Sequence, residues 1–141
     1  MPPGSRRKLT MGVEENKAVV RAFSEAVWRQ RDLTAIDRYV SERYRDPEIP
    51  GPDPRAGLKR FFTQYFAARP DFRLTSEDLI AEGDRVVQVL TGEFTNTEAH
   101  RGPLGARMAM AEINIFTLAD GQLVSRFGIG RSGVVTSSSP G

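Results

Sequence analysis

The sequence predicts an α+β fold in which helices cover one face of an antiparallel sheet. Three observations carry this expectation. Apolar residues recur at helical spacing in the first half, two glycine-centred hairpins fill the second, and neither a linker nor an internal repeat divides the chain. Helices first and strands afterwards, within 141 residues, describe one layered domain rather than alternating βαβ units.

The elements follow in order. Residues 1–12 read as a disordered basic tail, Pro-Pro-Gly-Ser followed by Arg6, Arg7 and Lys8, with Met11 as an alternative start. The domain is expected to span residues 13–132, and residues 133–141, rich in serine, read as a second disordered tail. From Glu14, the residues Val19, Val20, Phe23, Ala26 and Val27 recur at intervals of three and four and mark a helix. Glu14 and Glu15 near its start and Arg29 and Arg31 near its end suit the helix dipole. Trp28 adjoins the stripe as either core or pocket wall. A short helix opens at residues 32–34, with Thr34 as its N-cap and Ile36, Tyr39 and Val40 facing inward. Tyr44, Arg45 and Asp46 form an extended exit. Pro47, Pro50, Pro52 and Pro54 fall within eight residues and exclude helix or central strand, leaving a stiff loop of the kind that frames a pocket mouth. In the next helix Leu58, Phe61, Phe62, Tyr65 and Phe66 make an apolar, aromatic stripe, and Tyr65 alone among them carries a hydroxyl. Strands over 72–80 and 85–96 flank the turn Glu82-Gly83-Asp84. Residues 97–105 read as a loop around His100, and a long hairpin occupies residues 107–131.

Composition narrows the function classes. The formal charge is +2, but Arg6, Arg7 and Lys8 account for +3, so the body from Thr10 is close to −1. It carries no clustered basic face for nucleic acid. Cysteine is absent and histidine occurs once, which excludes thiolate or multi-histidine metal sites and cysteine nucleophiles. Neither a membrane-length apolar run nor a secretory h-region is present, so a cytoplasmic protein is expected, away from membranes. There is no phosphate loop, nucleophile elbow or metal-ligand spacing, and nothing implies a cofactor.

The final hairpin concentrates the remaining chemistry. Its first strand is apolar on both faces, yet Glu112 and Asn114 stand in the middle of one of them, and buried polar groups there need partners. A three-residue turn at 119–121 would pair Leu118 with Gln122, Asn114 with Arg126 and Glu112 with Gly128, gathering Glu112, Asn114 and Arg126 on one face. A two-residue turn would send Arg126 to the other face. Two readings stay open for that cluster. It is either a satisfied structural network, or a site in which Glu112 acts as general acid or base while Asn114 orients a substrate oxygen. Asp46, with Tyr44, is a second polar candidate, or else the starter of an Asp-Pro turn. Gln88 sits in a valine-rich run, and Tyr65, Trp28, Phe61 and Met110 could wall a pocket. His100 has the chemistry for proton transfer but lies in a loop.

Several stretches resemble one family: the segment from Asn16 to Phe23, Asp71-Phe72-Arg73, Glu77 through Val87, and Ile115 through Val124 are similar to the SnoaL-like polyketide cyclases. The resemblance runs from Asn16 to Arg131. It implies the NTF2-like fold, a curved sheet wrapped by helices into an open cone, and pairing of sheets into a homodimer. It also implies a polyketide-type small molecule as substrate. The family's aldol cyclases carry an acid/base aspartate on the last strand and a histidine on the strand before it. Those positions correspond here to Gly128 and Asn114, and a further family histidine corresponds to Asn96. The expected function is therefore cofactor-independent cyclisation or isomerisation through substrate preorganisation, aided by Glu112, Asn114, Arg126 and Asp46 rather than by the aldol aspartate. Epoxide opening or hydrolysis, and a non-catalytic ligand-binding or dimerisation module, are the alternatives.

Overall fold

The computed structural model describes residues 12–135. Helix α1 (Val13–Ser24) begins with Glu14 and Glu15 in its first turn and continues into a π turn, Glu25–Arg29. The backbone N–H of Gln30 reaches back five residues to the carbonyl of Glu25, at 3.0 Å. This extra residue, which the apolar spacing did not signal, turns Val27 and Trp28 into the core. Arg31 then ends the segment at φ 57°, a left-handed position unusual for a side chain of its size. Its guanidinium compensates by donating to the Phe72 carbonyl at 2.9 Å and lying 4.5 Å above the Phe66 ring.

A 3-10 turn (Leu33–Ala35) leads into the one-turn helix α2 (Ile36–Tyr39). Its N-cap is Asp32, whose carboxylate accepts from the Thr34 N–H, so the cap lies two residues earlier than expected. Val40, expected among the inward-facing residues of that helix, instead starts a strand, β1 (Val40–Arg45). The loop after it leads to α3 (Pro54–Ala68), capped by the Asp53 carboxylate on the Ala56 N–H, with proline in the first turn. Four long strands follow: β2 (Arg73–Glu82), β3 (Arg85–Thr95), β4 (Arg107–Ala119) and β5 (Gln122–Val134).

The sheet order is β1-β5-β4-β3-β2, antiparallel throughout except that β1 runs parallel to β5. Four strands are expected from the sequence, and β1 is the addition. It is short, its central residues are Ser41, Glu42 and Arg43, and it pairs on one side only, so it lacks the alternation that announces a strand. Strand β5 also passes the expected domain boundary, since Gly133 and Val134 still pair with Ala109 and Met108. The two tail predictions otherwise fall on residues 1–11 and 136–141, outside the described residues.

Even-numbered residues of β3 and β4, among them Val86, Leu90, Phe94, Met108 and Phe116, face the helices and form the core with Val20, Phe23, Trp28, Leu58, Phe62 and Phe66. The opposite face is open, although a strand apolar on both sides predicts cover on both. Ile113, Phe127 and Ile129 are 50%, 58% and 67% exposed there. The result is the α+β, NTF2-like cone: a curved sheet with its concave side closed by helices.

Candidate active site

The site depends on the register of the last hairpin. Asp120 and Gly121 sit at φ 51° and 78°, two left-handed residues that make a two-residue turn, with Ala119 opposite Gln122. The expected three-residue turn is therefore corrected. By that turn alone Arg126 would point to the exposed face. However, the register shifts once more, because Leu118 pairs with Leu123 while Thr117 pairs with Ser125, leaving Val124 as a bulge. Beyond it Phe116 faces Arg126, Asn114 faces Gly128 and Glu112 faces Gly130. The bulge returns Arg126 to the concave side, where Glu112 and Asn114 project, each paired differently from the expectation.

Arg126 is the hub. Its Nε donates to Asn114 Oδ1 at 2.7 Å, Nη1 reaches both oxygens of Asp46 and Glu48 Oε1 at 3.1 Å, and Nη2 stands 3.5 Å from Glu112 Oε2. Asp46 also accepts from the Tyr44 hydroxyl at 2.9 Å, and its side chain is 1% exposed. Asn114 Nδ2 donates to Glu112 Oε1 and to Gln88 Oε1, each at 3.0 Å. Gln88 donates in turn to Ser24 Oγ at 2.6 Å and Glu77 Oε2 at 2.8 Å. Both amides thus use their carbonyl and both N–H groups inside the protein. The Asn114 amide holds Glu112 in place and has no spare donor for a substrate oxygen.

Electrostatics follows from this packing. Burial raises the Tyr44 phenol far above its ordinary range, and the adjacent Asp46 carboxylate adds to the effect, so the hydroxyl stays protonated and donates. Burial opposes the charge on Arg126, but Asp46 and Glu112 outweigh it and hold the guanidinium protonated more firmly than usual. Gly128 makes the arrangement possible. A Cβ at that position would collide with the Arg126 guanidinium and Asn114 Oδ1, which occupy the space a side chain would need.

A pocket opens beside this cluster, lined by Glu112, Asn114, Arg126, Asp46 and Glu48 on its polar side. Trp28, Phe61, Tyr44, Phe23 and Phe116 supply its aromatic walls. Its free space is about 30 Å³, room for one or two waters. Thus Glu112, Asn114, Arg126, Asp46, Tyr44, Trp28 and Phe61 come together. Gln88 lies one residue behind, touching the pocket through Asn114. Tyr65, Met110 and His100 do not line it. Tyr65 is turned into the aromatic core, 5.4 Å between ring centres from both Trp28 and Phe72, with Arg69 over its face; burial pushes its phenol up to about 12. Met110 pairs with Gly92 and Ser132 further along β4, bordering a separate groove. His100 is on the surface beside Glu98, because the buried Asn96 amide ties its loop back through the carbonyls of Gly102 and Pro103, both at 3.0 Å.

Glu48, Ser24 and Glu77 join the network although the sequence reading passed over them. Glu48 had a signal, since it follows Asp46 by two residues in the loop expected to frame the mouth. Ser24 had none, because a serine on the inward face of a helix looks the same in sequence whether or not a distant amide reaches it. Among the described residues no group of three or more acids or histidines is arranged to hold a metal.

The family model for SnoaL-like polyketide cyclases matches residues 18–129. The chain belongs to that family. No curated protein matches the chain. Solved structures with the same fold include TsrD from Streptomyces laurentii, 21% identical with TM-score 0.70, matched over 85% of this chain and 90% of that one. A SnoaL-like polyketide cyclase from Agrobacterium tumefaciens is 15% identical with TM-score 0.69, over 86% and 93% of the two chains. AclR from Streptomyces galilaeus, provisionally named a hydroxylase, is 21% identical with TM-score 0.69, over 85% and 81%. On β5 the space that a side chain at Gly128 would take is filled by Arg126 and Asn114.

Proposed function

We propose that this chain is a cofactor-independent enzyme of natural-product biosynthesis that cyclises or isomerises a polyketide-type small molecule, with Glu112 as its acid/base group. The convergence of Glu112, Arg126 and Asp46 from three separate segments on one aromatic-walled pocket carries this reading. The two buried carboxylates are held differently. Asp46 has both oxygens engaged by Arg126 and one also by Tyr44, so it is a structural anchor. Glu112 is held by Asn114 on one oxygen and loosely by Arg126 on the other, and its side chain is 19% exposed. It is the carboxylate able to take a proton from a substrate C–H or O–H and return it to the oxygen that develops negative charge as the ring closes. The aromatic walls fold the chain of the substrate into the reactive conformer.

Room for one or two waters does not hold a ring system, so the pocket has to widen for a substrate to enter. The same small space supports a second reading, in which Glu112 activates a water to open an epoxide or hydrolyse a substrate. Turnover of linear poly-β-ketone thioesters against epoxide analogues separates the two. Glu112→Gln should abolish whichever activity is found while the melting temperature stays roughly unchanged; retained turnover refutes the role of Glu112. We further propose that the exposed convex face pairs two copies into a homodimer.

A further inference from the structure

The charge balance of the pocket is incomplete. Among the described residues lining it there is one cation, Arg126, facing three carboxylates, Asp46, Glu48 and Glu112. That cation is largely engaged: four of its five N–H groups are matched to protein acceptors, the one on Glu112 at 3.5 Å, and a single Nη2 N–H is left over. Even with Glu48 set aside as solvated, at 63% exposed, two sheltered carboxylates share one guanidinium. Sheltered charge that lacks a counter-charge is costly, and the cost is relieved when a ligand brings the missing cation. The other walls of the pocket are mostly aromatic rings, Trp28, Tyr44 and Phe61 among them, with Ile49 and Leu58 as the aliphatic members. Aromatic faces attract cations and offer nothing to a carboxylate.

From these two independent features, a cation outnumbered by carboxylates and a largely aromatic wall, we infer that the pocket selects a substrate bearing a protonated amine over one bearing a carboxylate. The ammonium sits between Glu48 and Glu112 at the mouth, and the apolar part of the molecule lies against Trp28 and Phe61. Arg45 lines the adjoining groove, which shares Tyr44, Asp46, Ile49 and Arg126 with this pocket, and does not line the pocket itself. The inference rests on the proposal that the pocket takes a small molecule, and its test separates the two.

Three phenols of nearly equal size carry the three charge states: tyramine, tyrosol and 4-hydroxyphenylacetate. Trp28 is the sole tryptophan and lines the pocket, so its fluorescence reports occupancy, with calorimetry as a second readout. Tyramine should bind roughly ten-fold more tightly than 4-hydroxyphenylacetate, a difference of about 1.4 kcal/mol, with tyrosol between them. The preference should shrink as salt is raised. It should also narrow in Glu48→Gln, a change at an exposed side chain that leaves the core untouched, and narrow further in Glu112→Gln. Equal or tighter binding of the carboxylate overturns the charge selection while leaving a ligand pocket in place. Failure of all three to bind overturns the ligand pocket itself and the selection with it.

Discussion

Asp46 and Glu112 flank the same guanidinium, yet removing Arg126 would expose how unequal they are. Asp46 is almost wholly buried, so Arg126→Met should strand its charge and cost about 3–5 kcal/mol in urea unfolding. The double variant Arg126→Met with Asp46→Asn should recover much of that loss. Glu112→Gln acts on chemistry instead, with an expected fall in turnover of roughly 10²–10⁴-fold and little loss of stability. The tyrosines give a pH test. Tyr44 and Tyr65 both hold their protons more tightly folded than unfolded, chiefly because they are buried. Above about pH 10, the ordinary phenol value, the unfolded chain loses protons that the folded chain keeps, so stability must fall as pH rises further. Absorbance titration should show Tyr65 ionising near 12 and Tyr44 only on unfolding, and Tyr44→Phe should delay the alkaline transition. The polar members of the cluster were legible as residue types: an acid and an amide inside an apolar strand have to be accounted for. Their partners were not, because Glu48 and Ser24 reach the network across 78 and 64 residues of chain.

At the scale of elements, the decisive feature is the bulge at Val124. The periodicity announced the hairpin and the dipeptide Asp120-Gly121 announced its turn. Neither could announce an extra residue three positions later, since that depends on where β1 docks, against Leu123 and Ser125 on either side of Val124. Two errors of register therefore cancelled: a turn one residue too long and a bulge left out both place Arg126 on the concave face. Deleting Val124 tests this. The shortened strand runs Leu123-Ser125-Arg126 with no extra residue, so the pairs Thr117–Ser125 and Phe116–Arg126 are kept and Arg126 stays on the concave face. We expect ligand-dependent Trp28 fluorescence to survive the deletion; its loss would show that the bulge itself, and not the pairing beyond it, positions Arg126. The helices were legible where their apolar stripes run unbroken, as in α3. They were not at the π turn, where the same residues fit either winding.

For the whole molecule, the fold class followed from the order of helices and strands, and the cone from the family resemblance. What covers the convex face did not follow, because an exposed apolar row and a covered one have the same sequence. Phe127, Ile129, Ile113 and Ile80 leave a row of apolar side chains exposed on the convex face. Sedimentation should give a dimer for the native chain. Ile129→Glu should give a monomer with the pocket intact, judged by tyramine binding; a native monomer would instead leave that face without the proposed role. Among the described residues no helix is long and apolar enough to cross a membrane.

The vacancy at Gly128 has a consequence for the history of the hairpin. A side chain on β5 at that point would force the arginine arm and the Asn114 amide out of their places. A lineage passing between the two arrangements is expected to change both positions. The intermediate step is either a bare hole beside Asn114 or a collision with Arg126. Glycine at 128 and arginine at 126 should therefore be inherited as a pair. Relatives that carry an acid at 128 should have a short or uncharged residue at 126, and swapping either position alone should be worse than swapping both.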